Sequence, residues 1–341
     1  MSTEIENKNS SSFPKKAVYK NLRILVIGAH PADVFDNAGG TCLHHARQGD
    51  EIYGAVITHG ARIHDVVISD EMRKKKKIPQ GVKLKKLMEE RSEVKKEEVR
   101  KACKIMGIKD VHFINFDDEI MLVKEKYIRS LARLIRNIRP DIIITHYPYD
   151  NGGLADQHAI TGQCVLNAAW VANTVDPGDP HPPHNVAQLY FFGIPTNFLN
   201  GGAFNTEFSH NCSIYIDITD VIHLKVKALD CMRSQQYDGR SALKRIETIE
   251  GSAGAAIKVP YAEPFIVAYP EVHYTLPVSN FRLLTANQTE AKMKDQFEYI
   301  HSVDGEFENY KKSRREKADA KAEDPPSWSL FKYDLNDNLR V

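Results

Sequence analysis

The residues of this chain best placed to do chemistry are His30 and Asp33, in the stretch His30-Pro31-Ala32-Asp33. An imidazole and a carboxylate three positions apart can grip one divalent cation. They follow the apolar run Leu22 to Gly28, which reads as a buried parallel strand closed by glycine. A second chemical stretch begins at the tip of another apolar run, with Thr145-His146, and ends on Asp156-Gln157-His158, where the next helix opens. In a doubly wound sheet of order 3-2-1-4-5, strands 1 and 4 are neighbours, and the crevice at their carboxyl ends is where such sheets bind ligands. Strand 1 delivers His30 and Asp33 to that crevice, and strand 4 delivers His158. Two neutral imidazoles and one carboxylate are the donor set of a catalytic Zn2+ site with one position open, and another divalent metal suits the same donors.

The elements that must position these residues alternate along the chain. Strands are expected over about 22–28, 51–58, 111–116 and 141–145, and helices over about 37–48, 86–106, 124–138 and 156–173. This alternation predicts an α/β fold, doubly wound, with a mostly parallel sheet and helices on both faces. Later strands are expected at 189–192 and 214–218. Thr219 or Asp220 would cap a helix through about 236, and a further helix runs from about 241 to Gly251 or Gly254. Residues 1–20 read as a disordered leader, 21–285 as one α/β catalytic domain, and 286–341 as a helical extension and tail. The tail's Trp328, Leu330, Phe331 and Tyr333 are disposed to pack on the body or on another subunit, which leaves a homo-oligomer open.

Composition narrows the partners. Lys and Arg number 46 against 45 Asp and Glu, a net charge of +1, so no global field draws nucleic acid or a membrane surface. No apolar run reaches the length of a spanning helix, and Met1 to Lys20 lacks the apolar centre of a signal peptide. The five cysteines are scattered and form no Cys-x-x-Cys pair, which suits reduced thiols in a cytoplasmic protein. The Lys-rich stretch over 73–86 reads as a solvated face, or as a mobile lid that attracts an anion. The expected partner is a small anionic or polar substrate.

His30-Pro31-Ala32-Asp33 followed by Gly39-Gly40-Thr41 resembles the first motif of the PIG-L/LmbE superfamily, Ala-His-Pro-Asp-Asp-Glu, four residues, then Gly-Gly-Thr. Asp150 and Asp156-Gln157-His158 resemble its second motif, a His-x-Asp-His at the same place after strand 4. The likeness spans about residues 22–270. It implies a Rossmann-like fold and a metal, usually zinc, held by His30, Asp33 and His158. The departures are informative. In the superfamily's deacetylases the first Asp of the pair is the general base, and here that position is Ala32. Loss of a general base costs about 10²–10⁴-fold. The Glu that follows is Val34, the leaving-group His falls at Ala155, and the Asp that orients it falls at Gln157. Ligands remain while proton-handling groups are gone, which points to changed chemistry rather than lost chemistry. One branch, the 4-oxalomesaconate hydratases, keeps His-x-Ala-Asp. Gly60-Ala61-Arg62, Asp217 to Val221, Cys231-Met232 and Tyr261-Ala262-Glu263 are similar to that branch.

The resulting expectation is a metal-dependent hydratase adding water to a small unsaturated oxo-carboxylic acid. Arg62 would clamp a substrate carboxylate, with His64, Asp36 and Gly39 as further substrate contacts. Asp156 and Glu263 are the candidates for a replacement base, with His146, His64 and Asp36 behind them; Asp156 reads equally as a helix cap. Two alternatives stand beside it: a zinc-dependent N-deacetylase of an amino sugar with a relocated base, and a metal- or ligand-binding protein without catalysis.

Overall fold

The structure, a computed structural model, describes residues 21–75, 77–118, 122–149, 154, 156–192, 212–273 and 275–297. The expected leader, Asp150, Ala155 and the aromatic tail lie outside these residues. One sheet holds β1 (Arg23–Gly28), β2 (Glu51–Thr58), β3 (Asp110–Phe116), β4 (Ile142–Thr145), β5 (Gln188–Phe192), β6 (Ile214–Asp217) and β7 (Ala262–Val267). Its order is β3-β2-β1-β4-β5-β7-β6. The first five strands are parallel and form the expected 3-2-1-4-5 core. β7 then runs antiparallel to both β5 and β6. β7 escapes a reading of the sequence because Glu263 and Pro264 interrupt its apolar run, and Pro has no amide to give a ladder.

The helices are α1 (Asp33–Arg47), α2 (Val66–Lys74), α3 (Val82–Ile105), α4 (Glu125–Ile138), α5 (Gln157–Ala172), α6 (Ile222–Leu229), α7 (Arg240–Thr248), α8 (Glu250–Ile257), α9 (Asn280–Thr285) and α10 (Glu290–Phe297). Among the described residues no helix is long and apolar enough to cross a membrane. α1 starts at Asp33, earlier than the expected 37. α2 was not expected; Asp65 caps it by accepting the Ile68 amide at 2.9 Å. The single helix expected to reach 236 is α6 followed by a short 3-10 turn, Arg233–Gln235.

β1 shows how the layers form. Its alternate side chains point to opposite faces: Ile24 and Val26 pack with α1, α3 and α6, while Leu25 and Ile27 pack with α4 and α5. α4 buries Tyr127, Leu131, Ala132, Ile135 and Ile138 along one stripe and stops where Arg139 turns left-handed before Pro140. Its Arg136 is fully buried and closes the carboxyl end of α5. The guanidinium donates to the carbonyls of Val171, Ala172 and Thr174 at 2.6, 3.2 and 3.0 Å and to Asp179 at 2.8 Å. Helix-end carbonyls with no partner inside the helix are thereby satisfied.

α1 is broken by Ala38, whose φ of −140° and ψ of 16° are not helical. The break strands amides one turn on, and Glu263 from β7 takes them up. Its carboxylate accepts from the Gly40 and Thr41 amides, both at 2.8 Å, from the Thr41 hydroxyl at 2.6 Å and from Lys225 Nζ at 2.7 Å. Gly40 is needed for a different reason. A Cβ there would lie 2.4 Å from Ile218 Cγ2, so the helix lies against the chain leaving β6 with no room for a side chain. Lys225 also donates to Glu250 at 2.7 Å, leaving the second Glu250 oxygen buried with no hydrogen-bond partner.

One ammonium between two carboxylates does not fully support both charges. Burial pushes the Glu250 carboxyl up to about 7, against the pull of Lys225. A free glutamate titrates near 4.3, so the folded state holds this proton more tightly. Its contribution to stability is complete below about pH 4.3 and is lost as pH rises through about 7. The expected outcome for Glu250→Gln is a shallower fall of unfolding free energy between pH 5 and 8, by up to about 1.4 kcal/mol per pH unit, in urea titrations. A profile parallel to the wild type would show that Glu250 holds no proton there.

Candidate metal centre

The centre is built where β1 and β4 end side by side. β1 closes on Gly28, where a Cβ would come 2.7 Å from the Asp33 Cβ; glycine lets the chain fold back so closely. Asp33 Oδ2 then accepts the His30 amide at 2.7 Å, which ties the two ligand residues into one turn. On the β4 side, His146 follows the strand and is buried. Asp156 caps α5, accepting the His158 amide at 2.8 Å, and so places His158 on the first turn.

Three donor atoms converge. His30 Nδ1 lies 3.2 Å from His158 Nε2 and 3.5 Å from Asp33 Oδ2, and His158 Nε2 lies 3.8 Å from the same oxygen. A tetrahedral cation with bonds near 2.0–2.2 Å needs donor separations of about 3.4 Å. The triangle fits one face of such a tetrahedron, and two nitrogens with one oxygen is a donor set that zinc accepts.

A second layer fixes the first. Gln157 donates its amide to the Asp118 carbonyl at 2.8 Å, so its oxygen is the atom that faces His30 Nε2 and accepts from it. That bond selects the tautomer with hydrogen on Nε2 and leaves the Nδ1 lone pair aimed into the triangle. His146 Nε2 lies 3.0 Å from Asp33 Oδ2, and its ring stacks on His158 with centroids 4.3 Å apart. Burial alone would raise the Asp33 carboxyl, but the His146 hydrogen bond and the surrounding imidazoles hold it well below the usual carboxylate range. Burial pushes His146 down, so it stays neutral near pH 7. His64 meets His30 edge-on at 4.2 Å; burial first, then His30, pushes it down to about 4.

Of the residues expected at the site, His30, Asp33, His158, His146 and His64 are brought together, and Asp156 stands beside them as the cap of α5. Four take other places. Glu263 is a structural cap inside α1 with both oxygens committed, so it is not a replacement base. Asp36 is buried and gripped by the Arg245 guanidinium, Nε lying 2.7 and 2.9 Å from its two oxygens, so it is neither base nor substrate contact. Gly39 faces Met106 across the α1–α3 contact rather than a ligand. Arg62 holds its guanidinium on Asp117, at 2.7 to 3.0 Å, and lines a cavity with His59 and Asn115 that none of the three donors lines; a substrate carboxylate would have to displace Asp117.

Three contributors were missed. Gln157 was read only as a lost aspartate, although it is the residue that orients His30. Asp118, fully buried, accepts the Arg62 and Ile63 amides and lies 3.0 Å from His59 Nδ1, shaping the loop that carries His64. Burial opposes its charge, but these donors bring it down to about 2. Its position just after β3, beside the crevice, was the available signal. Lys95, buried in α3, donates to the His64 carbonyl at 3.1 Å and to the Ser234 hydroxyl at 2.9 Å; burial pushes it down to about 8. His59, Asp117 and Asp118 form a second grouping of potential donors, but Asp118 is committed to these amides and Asp117 to Arg62.

If Gln157 sets the His30 tautomer, Gln157→Leu should weaken zinc binding about 10–100-fold with little change in melting temperature. Competition against a chromophoric chelator reads this; an unchanged affinity would remove Gln157 from the centre.

Residues 25–169 match the family model PIG-L, GlcNAc-PI de-N-acetylase. The chain is 25% identical over 258 residues to a 4-oxalmesaconate hydratase of Pseudomonas putida, spanning 73% of this chain and 90% of that one. It is 26% identical over 195 residues to a 1D-myo-inositol 2-acetamido-2-deoxy-alpha-D-glucopyranoside deacetylase of Thermobifida fusca, spanning 52% and 64%. The solved 4-carboxy-2-hydroxymuconate hydratase of Pseudomonas putida shares the fold with a TM-score of 0.56 at 22% identity, over 75% of this chain and all of that one. The N,N'-diacetylchitobiose deacetylase of Pyrococcus horikoshii does so with a TM-score of 0.56 at 19% identity, over 72% and 83%. All three donors of the triangle fall inside the span that matches the PIG-L family model.

Proposed function

We propose that the chain is a metal-dependent hydro-lyase that adds water to a small unsaturated oxo-carboxylic acid. The observation that carries this reading is Ala32. Its methyl group is 2% exposed and packed into the α1 core, directly between the two ligand residues of the first motif. The metal donors are intact, while the carboxylate that an amide hydrolase of this family uses as base is replaced by hydrocarbon. The extent of the likeness to the Pseudomonas putida hydratase supports the same reading.

When bound, a divalent cation supplies Lewis acidity and makes water a nucleophile near neutral pH. The residues around it divide the remaining work. His30, Asp33 and His158 hold the cation, and Gln157 keeps His30 in the ligating tautomer. His64, neutral and beside His30, is placed to take a proton from water and return one to carbon. His146 screens the Asp33 charge and closes the floor of the site. Arg62 meets a substrate carboxylate by exchanging it for Asp117. The second reading, N-deacetylation, draws on the deacetylases among the relatives and on the partly exposed Asp156 carboxylate, 3.8 Å from His158 Nδ1, as a relocated base.

His30→Ala and His158→Ala should each abolish stoichiometric zinc in purified protein, measured by plasma emission; unchanged metal content would overturn the centre. Oxo-dicarboxylates and N-acetyl sugars assayed side by side should show hydration of the former, with turnover of the N-acetyl compounds alone sinking the hydro-lyase reading. Ala32→Asp should restore a carboxylate at the motif position and raise any deacetylation by about 10²-fold.

A further inference from the structure

α3 turns one polar face toward the loop that carries His64. Arg91, Lys95 and Glu98 follow one another at helical spacings of four and three, so they share that face. Lys95 is fully buried, a costly place for an ammonium unless its N–H groups find acceptors. Its Nζ donates to the His64 carbonyl at 3.1 Å and to the Ser234 hydroxyl oxygen at 2.9 Å, and the Asp65 carboxylate lies 3.9 Å away. Burial pushes Lys95 down to about 8, against the pull of Asp65 and Glu98, so the ammonium still prevails near pH 7.

Two of these partners are themselves held by the same helix. Glu98 accepts from the Ser234 hydroxyl at 2.6 Å and from the Ser234 amide at 3.0 Å. The hydroxyl hydrogen therefore goes to Glu98 and leaves an oxygen lone pair for Lys95. Arg91 Nε donates to Asp65 at 3.0 Å. The lysine stem supports the same loop from behind. Gly60 has a φ of +64°, and a Cβ there would lie 2.5 Å from Pro31 Cδ and 3.5 Å from Lys95 Cδ. The loop is thus pressed between the stem and the proline that follows His30. At its far end the His64 ring meets His30 edge-on, with centroids 4.2 Å apart. Hydrocarbon could fill the space of Lys95 without burying a charge. What the ammonium adds is a fixed carbonyl, and with it a fixed backbone from which the imidazole hangs.

We propose that Lys95 is a positioning residue, whose ammonium fixes the backbone of His64 so that its ring stands against His30. The inference rests on the hydro-lyase reading for the proton-transfer role of His64, whereas the clamp itself is a matter of geometry.

Lys95→Met keeps the length of the stem and removes the ammonium. The nuclear Overhauser effect between the ring protons of His64 and His30 reads the position directly, on zinc-loaded, histidine-labelled full-length protein. It should be present in the wild type and lost in Lys95→Met with zinc content unchanged. Ser234→Ala removes one acceptor and should weaken it. With oxo-dicarboxylates, kcat of Lys95→Met should fall about 10²-fold with KM little changed, the effect of a catalytic group displaced by about 1 Å. The clamp is overturned by an absent wild-type signal, or by a full signal in folded Lys95→Met, or in Ser234→Ala where Lys95→Met does not fold. Loss of zinc together with the signal also overturns it, by making Lys95 part of the general scaffold, and so does a lost signal with unchanged kcat. A signal lost in Lys95→Met with zinc retained, in a protein whose wild type turns over no oxo-acid, counts against the hydro-lyase reading and leaves the clamp standing.

Discussion

The parallel pairing of β1 with β4 is the constraint on which the rest depends. Ile24 to Ile27 lie in register with Ile142 to Thr145, so two strands far apart in sequence end at the same height. Everything chemical is hung from those two ends. The turn after β1 presents His30 and Asp33, the chain after β4 presents His146, and the first turn of α5 presents His158 and Gln157. A slip of one residue would turn every side chain of a strand to the opposite face. The apolar alternation that buries Ile24 and Val26 on one side and Leu25 and Ile27 on the other therefore also aligns the ligands.

The buried charges divide into two kinds. Asp36 meets Arg245, Glu263 meets Lys225, Asp65 meets Arg91 and Asp179 meets Arg136, each pair joining separate segments of the chain. Such pairs organise packing, and breaking one strands a charge in a poor solvent. Asp33 is held differently, by imidazoles and one backbone amide. Imidazoles release a carboxylate to a cation more readily than a guanidinium does, because they can join it as neutral ligands. The distinction separates scaffold carboxylates from the working one, and it explains why Asp36 and Glu263 lose their candidacy.

Local patterns made the parallel core legible. The apolar runs of β1 and β4, the helical spacing of Ile128, Leu131, Leu134, Ile135 and Ile138, and Pro140 beyond them all survive in the structure. The donor triangle was legible because ligand type and topology act together. What stayed hidden depends on partners distant in sequence. Glu263 looked like a base because nothing nearby in sequence reveals the stranded amides of Gly40 and Thr41. Gln157 looked like a loss because its value lies in two bonds, to His30 and to Asp118, that exist only after folding. α2 is short, and its cap at Asp65 was masked by the charge-rich residues that follow it.

The broken helix α1 has a consequence for where this molecule can be divided. The family model's match ends at residue 169, yet the helix that begins with a metal donor is completed by a side chain from residue 263 and braced by lysine from residue 225. The later half of the chain is thus a working part of the matched half rather than a separable appendage. A carboxylate-bearing strand threaded beside β5 finishes a helix laid down more than two hundred residues earlier.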